Sequence, residues 1–256
     1  MTAVSRHDLL GMRAYLVRIG IDQAFGEWNA PVDPRTNDFV YVPIPELRRQ
    51  RPGLITSYDL VRPALARFAE ARPEASSRAV QLPGKLAASN MHLDPDFAQL
   101  TYGDNGVRRG QGLADLGRGD IVVFYAGLKP VVACAHRLVY ALVGFYRVGE
   151  VVRVEKVEPS RWGENAHTRR EEHKGTDVIV RGALGRSGRL RRCIPIGEFR
   201  DRAYRATRDV LETWGGLSCR NGYIQRSAVP PRFLEPTRLL SWFEGLEAEL
   251  VTSNNP

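Results

Sequence analysis

The apolar residues of this chain fall into short blocks whose spacing changes from the period of a strand to that of a helix and back. In the middle third, residues 119–125 (GDIVVFY), 140–148 and 150–157 are dense in β-branched and aromatic side chains, which pack well on a pleated surface; Gly149 divides the last two blocks. This pattern predicts a curled antiparallel unit. Residues 177–181 (DVIVR) and 190–196 (LRRCIPI) add two strands joined across a glycine-rich turn at 185–188. Nearer the start, 13–21 (RAYLVRIGI) reads as an opening strand and 39–45 (FVYVPIP) as a second, ended by its prolines. The long loop between them, 22–38, is of a length often used for function.

Helical spacing takes over in three places. Over 59–71, Asp59 opens a run with Leu60, Ala64, Leu65 and Phe68 on one face; 201–214 stops at Gly215-Gly216, a plausible cap; 237–250 offers Leu239, Leu240, Trp242, Phe243 and Leu246 for burial. Residues 71–89, rich in Pro, Ser, Ala and charge, read as a flexible excursion within a single domain spanning 1–256, and no internal repeat is visible. Separated strands flanked by helices, without regular alternation, predict an α+β fold with a mixed, mainly antiparallel sheet.

Composition adds a bias in partners. With 43% hydrophobic residues in 256, the chain can bury a core; 37 Lys and Arg against 29 Asp and Glu leave +8, mostly arginine, which favours nucleotides or nucleic acid. Cys134, Cys193 and Cys219 stand far apart, which argues against a disulfide framework or a thiolate zinc site. The most apolar run, 121–135, is broken by Lys129 and Pro130, and residues 1–11 lack a signal-peptide core, so no membrane association and a cytoplasmic location are expected. Neither a phosphate-binding G-x-x-x-x-G-K-[ST] loop nor a G-x-G-x-x-G turn is present, which sets aside classical nucleoside-triphosphate hydrolysis.

Candidate chemistry concentrates in Asn165-Ala166-His167-Thr168-Arg169-Arg170, where an amide, an imidazole, a hydroxyl and two guanidiniums could hold an anion and one heterocyclic edge. His167, kept neutral by its cationic neighbours, suits a general base. The competing reading makes Asn165 a helix N-cap followed by an exposed first turn. Tyr223, Gln225 and Arg226 could stack on a base, read its edge and meet a phosphate, or serve the core and a salt bridge. Trp28 and Asn29 suit a base pocket or a closed loop, and Tyr125 a stacking wall or the core. Asp104, in TYGD, is a base, a metal ligand or a turn former, and Asp33 is a further acid–base candidate. His92-x-Asp94-x-Asp96 has metal-ligand spacing, but Pro95 and Phe97 favour a turn in which Asp94 or Asp96 is an N-cap, so no metal site is assigned; no cofactor is legible.

The ordered segments RIGIDQAFGEWNAPVDP (18–34), FVYVPIPE (39–46), HLDPDFAQLTYGD (92–104), GDIVVFYAGL (119–128), ENAHTRR (164–170) and NGYIQRS (221–227) resemble the nucleotide modification associated domain 3 family. The resemblance covers nearly the whole chain and implies a role in phage and bacterial systems that modify or handle unusual nucleotides. Within it, GDIVVFYAGL followed by YALVGFYRV is similar to the opening of PUA-like barrels of the EVE, YTH and ASCH groups, which bind modified bases, so a small barrel is the alternative architecture. Two functions follow. One is an enzyme acting on a nucleotide or DNA base, with Asp33, Asp104 and His167 as acid–base groups and Arg169, Arg170 and Arg226 on phosphate. The other is a non-catalytic reader with Trp28, Tyr125 and Tyr223 as stacking walls. Either way, replacing Arg169 and Arg170 is expected to weaken binding and spare the fold.

Overall fold

The computed structural model describes residues 11–22, 28–107, 111–226 and 229–255. Residues 1–11 apart from Gly11, part of the 22–38 loop and Ser227 therefore lie outside the described residues. The strands are β1 (Ala14–Arg18), β2 (Pro31–Val32), β3 (Ile44–Pro45), β4 (Met91–His92), β5 (Thr101–Asp104), β6 (Ile121–Pro130), β7 (Val139–Arg153), β8 (Val178–Gly182), β9 (Gly188–Pro195), β10 (Gly197–Arg200), β11 (Ala203–Ala206) and β12 (Leu250–Val251). The helices are α1 (Arg62–Glu70), α2 (Ser77–Val80), α3 (Gly84–Ala87), α4 (Gln111–Ala114), α5 (Ala166–Arg169), α6 (Arg208–Trp214) and α7 (Pro236–Gly245).

The main sheet runs β1-β6-β7-β8-β5, with β9 also on β7 and β12 on β9. Its pairings are antiparallel except those of β1 and β2 with β6, and among the described residues no strand closes it into a barrel. The fold is therefore α+β with an open, mostly antiparallel sheet. Strand periodicity explains its two cores. Along β6, Val122, Phe124, Ala126 and Leu128 join Leu65 and Phe68 of α1, while Ile121, Val123 and Tyr125 join Trp214 of α6 and Leu239 and Phe243 of α7. Each face thus receives its own helical cover.

Several local expectations change. Residues 140–157 do not form two strands: β7 is continuous, and Gly149 falls in a bulge between Val148 and Glu150 where the strand pairs with β8. β8 and β9 are joined across the glycine-rich turn as expected, and they follow one another along β7, each finding its ladder on the longer strand. Over 39–45 only β3 is regular; Phe39, Val40, Tyr41 and Val42 are buried in the first core with one bridge, Val32 to Phe39. The 201–214 helix begins late, since β11 pairs with β10 and Thr207 caps α6 by accepting the Val210 amide; Gly215, at φ +74°, ends it as expected. Residues 71–89 include the single-turn helices α2 and α3, with Arg72, Val80 and Leu86 buried.

The segment after β12 folds back on the turn after β4. Asn254 accepts the Phe97 amide through Oδ1 (2.8 Å) and donates to Asp96 Oδ1 (3.0 Å), while Asn255 exchanges two hydrogen bonds with the Tyr41 backbone.

Arg189 on β9 is fully buried, and its three guanidinium nitrogens have no hydrogen-bond partner among the described residues. Its guanidinium lies 4.8 Å from the Phe39 ring centroid. Burial, with Arg191 adding, pushes it down to about 10. A buried charge without a carboxylate is costly, so Arg189→Met should raise folding stability by about 1–4 kcal/mol in urea denaturation. A lowered midpoint would mean that the charge has a partner of its own.

Candidate active site

Three chain-distant segments build the polar centre of the molecule. Pairing of β3 with β4 sets Ile44 opposite His92 and Pro45 opposite Met91, which brings Glu46 to the His92 imidazole. Past β4 the chain turns back, with Asp96 and Thr101 exchanging backbone hydrogen bonds, so that β5 runs beside Asp94 and the Gly103 amide donates to Asp94 Oδ1 (2.8 Å). Pairing of β5 with β8 sets Asp104 opposite Val178, next to Asp177. The third segment is α5. Asn165 caps it by accepting the His167 amide (2.9 Å) through its side chain, while the Asn165 backbone amide donates to the Thr168 hydroxyl (3.1 Å). The amide nitrogen of the same Asn165 side chain donates to Asp94 Oδ1 (2.8 Å). Backbone bonds from Arg51 to Arg169 and from Glu171 to Arg49 tie α5 to the chain after β3.

These segments bring His92, Asp94 and His167 together. Nε2 of each imidazole lies 3.8 Å from Asp94 Oδ2, and the ring centroids are 5.2 Å apart. The three side chains are only 5–9% exposed. Their other polar atoms all face polar groups. His92 Nδ1 donates to Glu46 Oε2 (2.7 Å); His167 Nδ1 faces Asp177 Oδ2 at 3.5 Å without forming a well-aligned hydrogen bond; Asp94 Oδ1 receives Asn165 and Gly103. His92 Nδ1 meets both Glu46 Oε2 (2.7 Å) and the Arg170 guanidinium (3.2 Å); the shorter contact, to a carboxylate, favours the tautomer with the proton on Nδ1, which leaves Nε2 as a lone-pair donor.

Charge is balanced around this centre by arginines. Burial alone would raise the Glu46 carboxyl, but hydrogen bonds and charge from His92 and Arg170 outweigh it and hold it at about 2. Asp177 is likewise lowered, burial being outweighed by His167, the Lys174 amide and Arg170. Asp104 goes the other way: burial, with Asp94 and Asp177 adding, raises it against the Gly106 amide and His167. Two carboxylates of opposite tendency thus flank one imidazole.

The other residues singled out in the sequence fall elsewhere or into structural roles. Asn165 is the N-cap of the competing reading and also an Asp94 partner. The segment after it is not an exposed turn: His167, Thr168, Arg169 and Arg170 are all buried. Neither guanidinium is free to clamp phosphate. Arg169 is bound to Asp96 (2.6 Å) and the Gly163 carbonyl, and Arg170 to both oxygens of Glu46 (3.1 Å each). Asp104 ends strand β5 while its carboxylate accepts the Gly106 amide (2.9 Å), so it serves the following turn and faces the site together. Asp96 caps a turn through the Ala98 and Gln99 amides, but no helix follows. Asp33 is buried between Arg35 and Arg72, which outweigh burial and hold it at about 2. Trp28 and Asn29 are buried and donate to the Arg78 and Gly127 carbonyls; Tyr125 is fully buried with its hydroxyl on the Ile224 carbonyl. Tyr223 is half-buried beneath Arg205, Gln225 accepts the Tyr204 amide, and Arg226 is exposed. The sequence reading did not single out Glu46 or Asp177, which sit beside unremarkable strand residues.

An open mixed sheet with a buried cluster of two histidines and several carboxylates defines an α+β protein with a polar centre at the edge of its sheet. The model of the nucleotide modification associated domain 3 family matches residues 13–214, and the chain belongs to that family, which associates it with nucleotide modification systems. No curated protein and no solved structure matches it. No helix among the described residues is long and apolar enough to cross a membrane.

Proposed function

We propose that the protein is an enzyme that modifies a nucleotide or a nucleic-acid base, with its reaction centred on His92, Asp94 and His167. The observation that carries this reading is the convergence of two imidazole Nε2 atoms on one carboxylate oxygen, each 3.8 Å away, from segments more than seventy residues apart. Burying three such groups without mutual hydrogen bonds is costly, and groups held at that cost cluster at functional sites. A reader of modified bases needs an open aromatic slot. Burial of Tyr125 and Trp28, and the Arg205 guanidinium beside Tyr223, favour the enzyme over the reader. Of the arginines considered for phosphate, the exposed Arg226 remains the candidate.

The test compares nucleosides, by mass, from the DNA, RNA and nucleotide pools of cells expressing the protein or its His167→Gln variant. The enzyme reading expects an altered nucleoside that falls by on the order of a hundredfold or more in the variant. Unaltered pools together with saturable binding of a modified base by the purified protein would make it a reader.

A further inference from the structure

We infer that His92 Nε2, Asp94 Oδ2 and His167 Nε2 form a binding site for one divalent first-row transition metal ion. The inference deepens the enzymatic reading of this centre, since it supplies the kind of reactant that a nucleotide-modifying reaction would use there.

The donors fit such an ion in kind and position. Two imidazole nitrogens and one carboxylate oxygen suit iron(II), cobalt(II), zinc or manganese, whereas calcium and magnesium prefer oxygen donors throughout. The three ligand atoms all lie within 4.8 Å of one another. Around an ion with bonds of roughly 2.0–2.2 Å, donors sit about 3.0–3.5 Å apart, so each 3.8 Å gap to Asp94 Oδ2 needs to close by about half an ångström and the gap between the two imidazoles, within 4.8 Å, by up to about 1.5 Å.

The surroundings are those of a metal ligand set. His92 donates its Nδ1 proton to Glu46, His167 presents Nδ1 to Asp177, and Asp94 has one oxygen bound by Asn165 and Gly103 while the other faces the two imidazoles. Carboxylates behind ligating histidines fix the ring orientation and raise nitrogen basicity. Among the described residues the buried Nδ1 of His167 has no hydrogen-bond partner, and a small closure of its 3.5 Å gap to Asp177 Oδ2 on metal binding would satisfy it. Three protein donors leave coordination positions for water or substrate, the arrangement of a reactive centre more than of a structural one.

A hydrogen-bonded alternative, with His92 or His167 protonated against Asp94, makes the opposite prediction for metal binding. The full-length protein, stripped with chelator, is titrated with zinc and with cobalt(II), reading heat, bound metal after desalting and the visible cobalt spectrum. One equivalent should bind, with affinity lowered at least a hundredfold in His92→Gln and in Asp94→Asn, and tenfold or more in Glu46→Gln. Circular dichroism confirms that each variant is folded; should Glu46→Gln fail to fold, Asp177→Asn replaces it. No bound equivalent in the wild type, or unchanged binding in folded His92→Gln and Asp94→Asn, would overturn the site. Binding of magnesium alone would do the same, since it would leave the imidazoles unused. The outcomes separate from those of the enzymatic reading: metal bound by a protein that alters no nucleoside retains this site and removes that reading, and modification by metal-free protein does the reverse.

Discussion

Replacing Arg169 with alanine should lower folding stability by about 3–5 kcal/mol, in place of the harmless loss of a surface charge that its position in the sequence suggests. The guanidinium is buried, 2.6 Å from Asp96 Oδ2, and two of its nitrogens donate to the Gly163 carbonyl. Removing it leaves Asp96 a buried carboxylate with one oxygen stripped of its cation, and leaves the Gly163 carbonyl without those donors. It also removes one of the ties between α5 and the turn between β4 and β5, the two elements that carry His167 and Asp94, and leaves the Asn165–Asp94 bond as another. Arg169→Lys should recover only part of the loss, because an ammonium cannot reproduce the planar fork. Urea denaturation measures both variants. A change below about 1 kcal/mol in Arg169→Ala would show that the Asp96 pair contributes little.

Gly103→Ala should damage the site more than any other single added methyl group near it. A Cβ at this position would lie 2.6 Å from Asn165 Oδ1 and 2.8 Å from His167 Cγ. Neither neighbour can yield cheaply. Asn165 is fully buried, caps α5 and holds Asp94, and His167 is wedged against Asp177. Overpacking of this kind costs about 1–3 kcal/mol, and displacement of the imidazole should reduce metal affinity by on the order of tenfold to a hundredfold. Gly245→Ala is the matched control, since its Cβ would meet nothing within 4 Å. Equal metal binding by the two variants would show that the imidazole does not need its present position against β5.

These two sites also show where sequence reading stops. Apolar periodicity located β6, β7, β8, β9, α1 and α7 because each buries a regular face against its neighbours. It missed β11 and the late start of α6, where a local hairpin and the Thr207 cap override helical spacing. It could not reveal that Gly149 bends a strand without ending it, since a bulge depends on what the partner strand does. His167 was legible as a polar residue in a capped segment, and His92-x-Asp94 as ligand-like spacing. Their meeting was not, because it depends on the β3–β4 register and the return of β5, neither of which leaves a local mark. The arginines misled for the same reason. An Arg-Arg pair reads as a surface cation until the chain delivers Asp96 and Glu46 to it from 73 and 124 positions away.

The Asn254 and Asn255 contacts give the segment after β12 a hold on this centre. Asp96, to which Asn254 donates, also receives Arg169 and begins the return toward β5. Asn254→Ala would thus loosen the turn following Asp94 without entering the site. Activity lost in that variant would report on the clasp as well as on the chemistry.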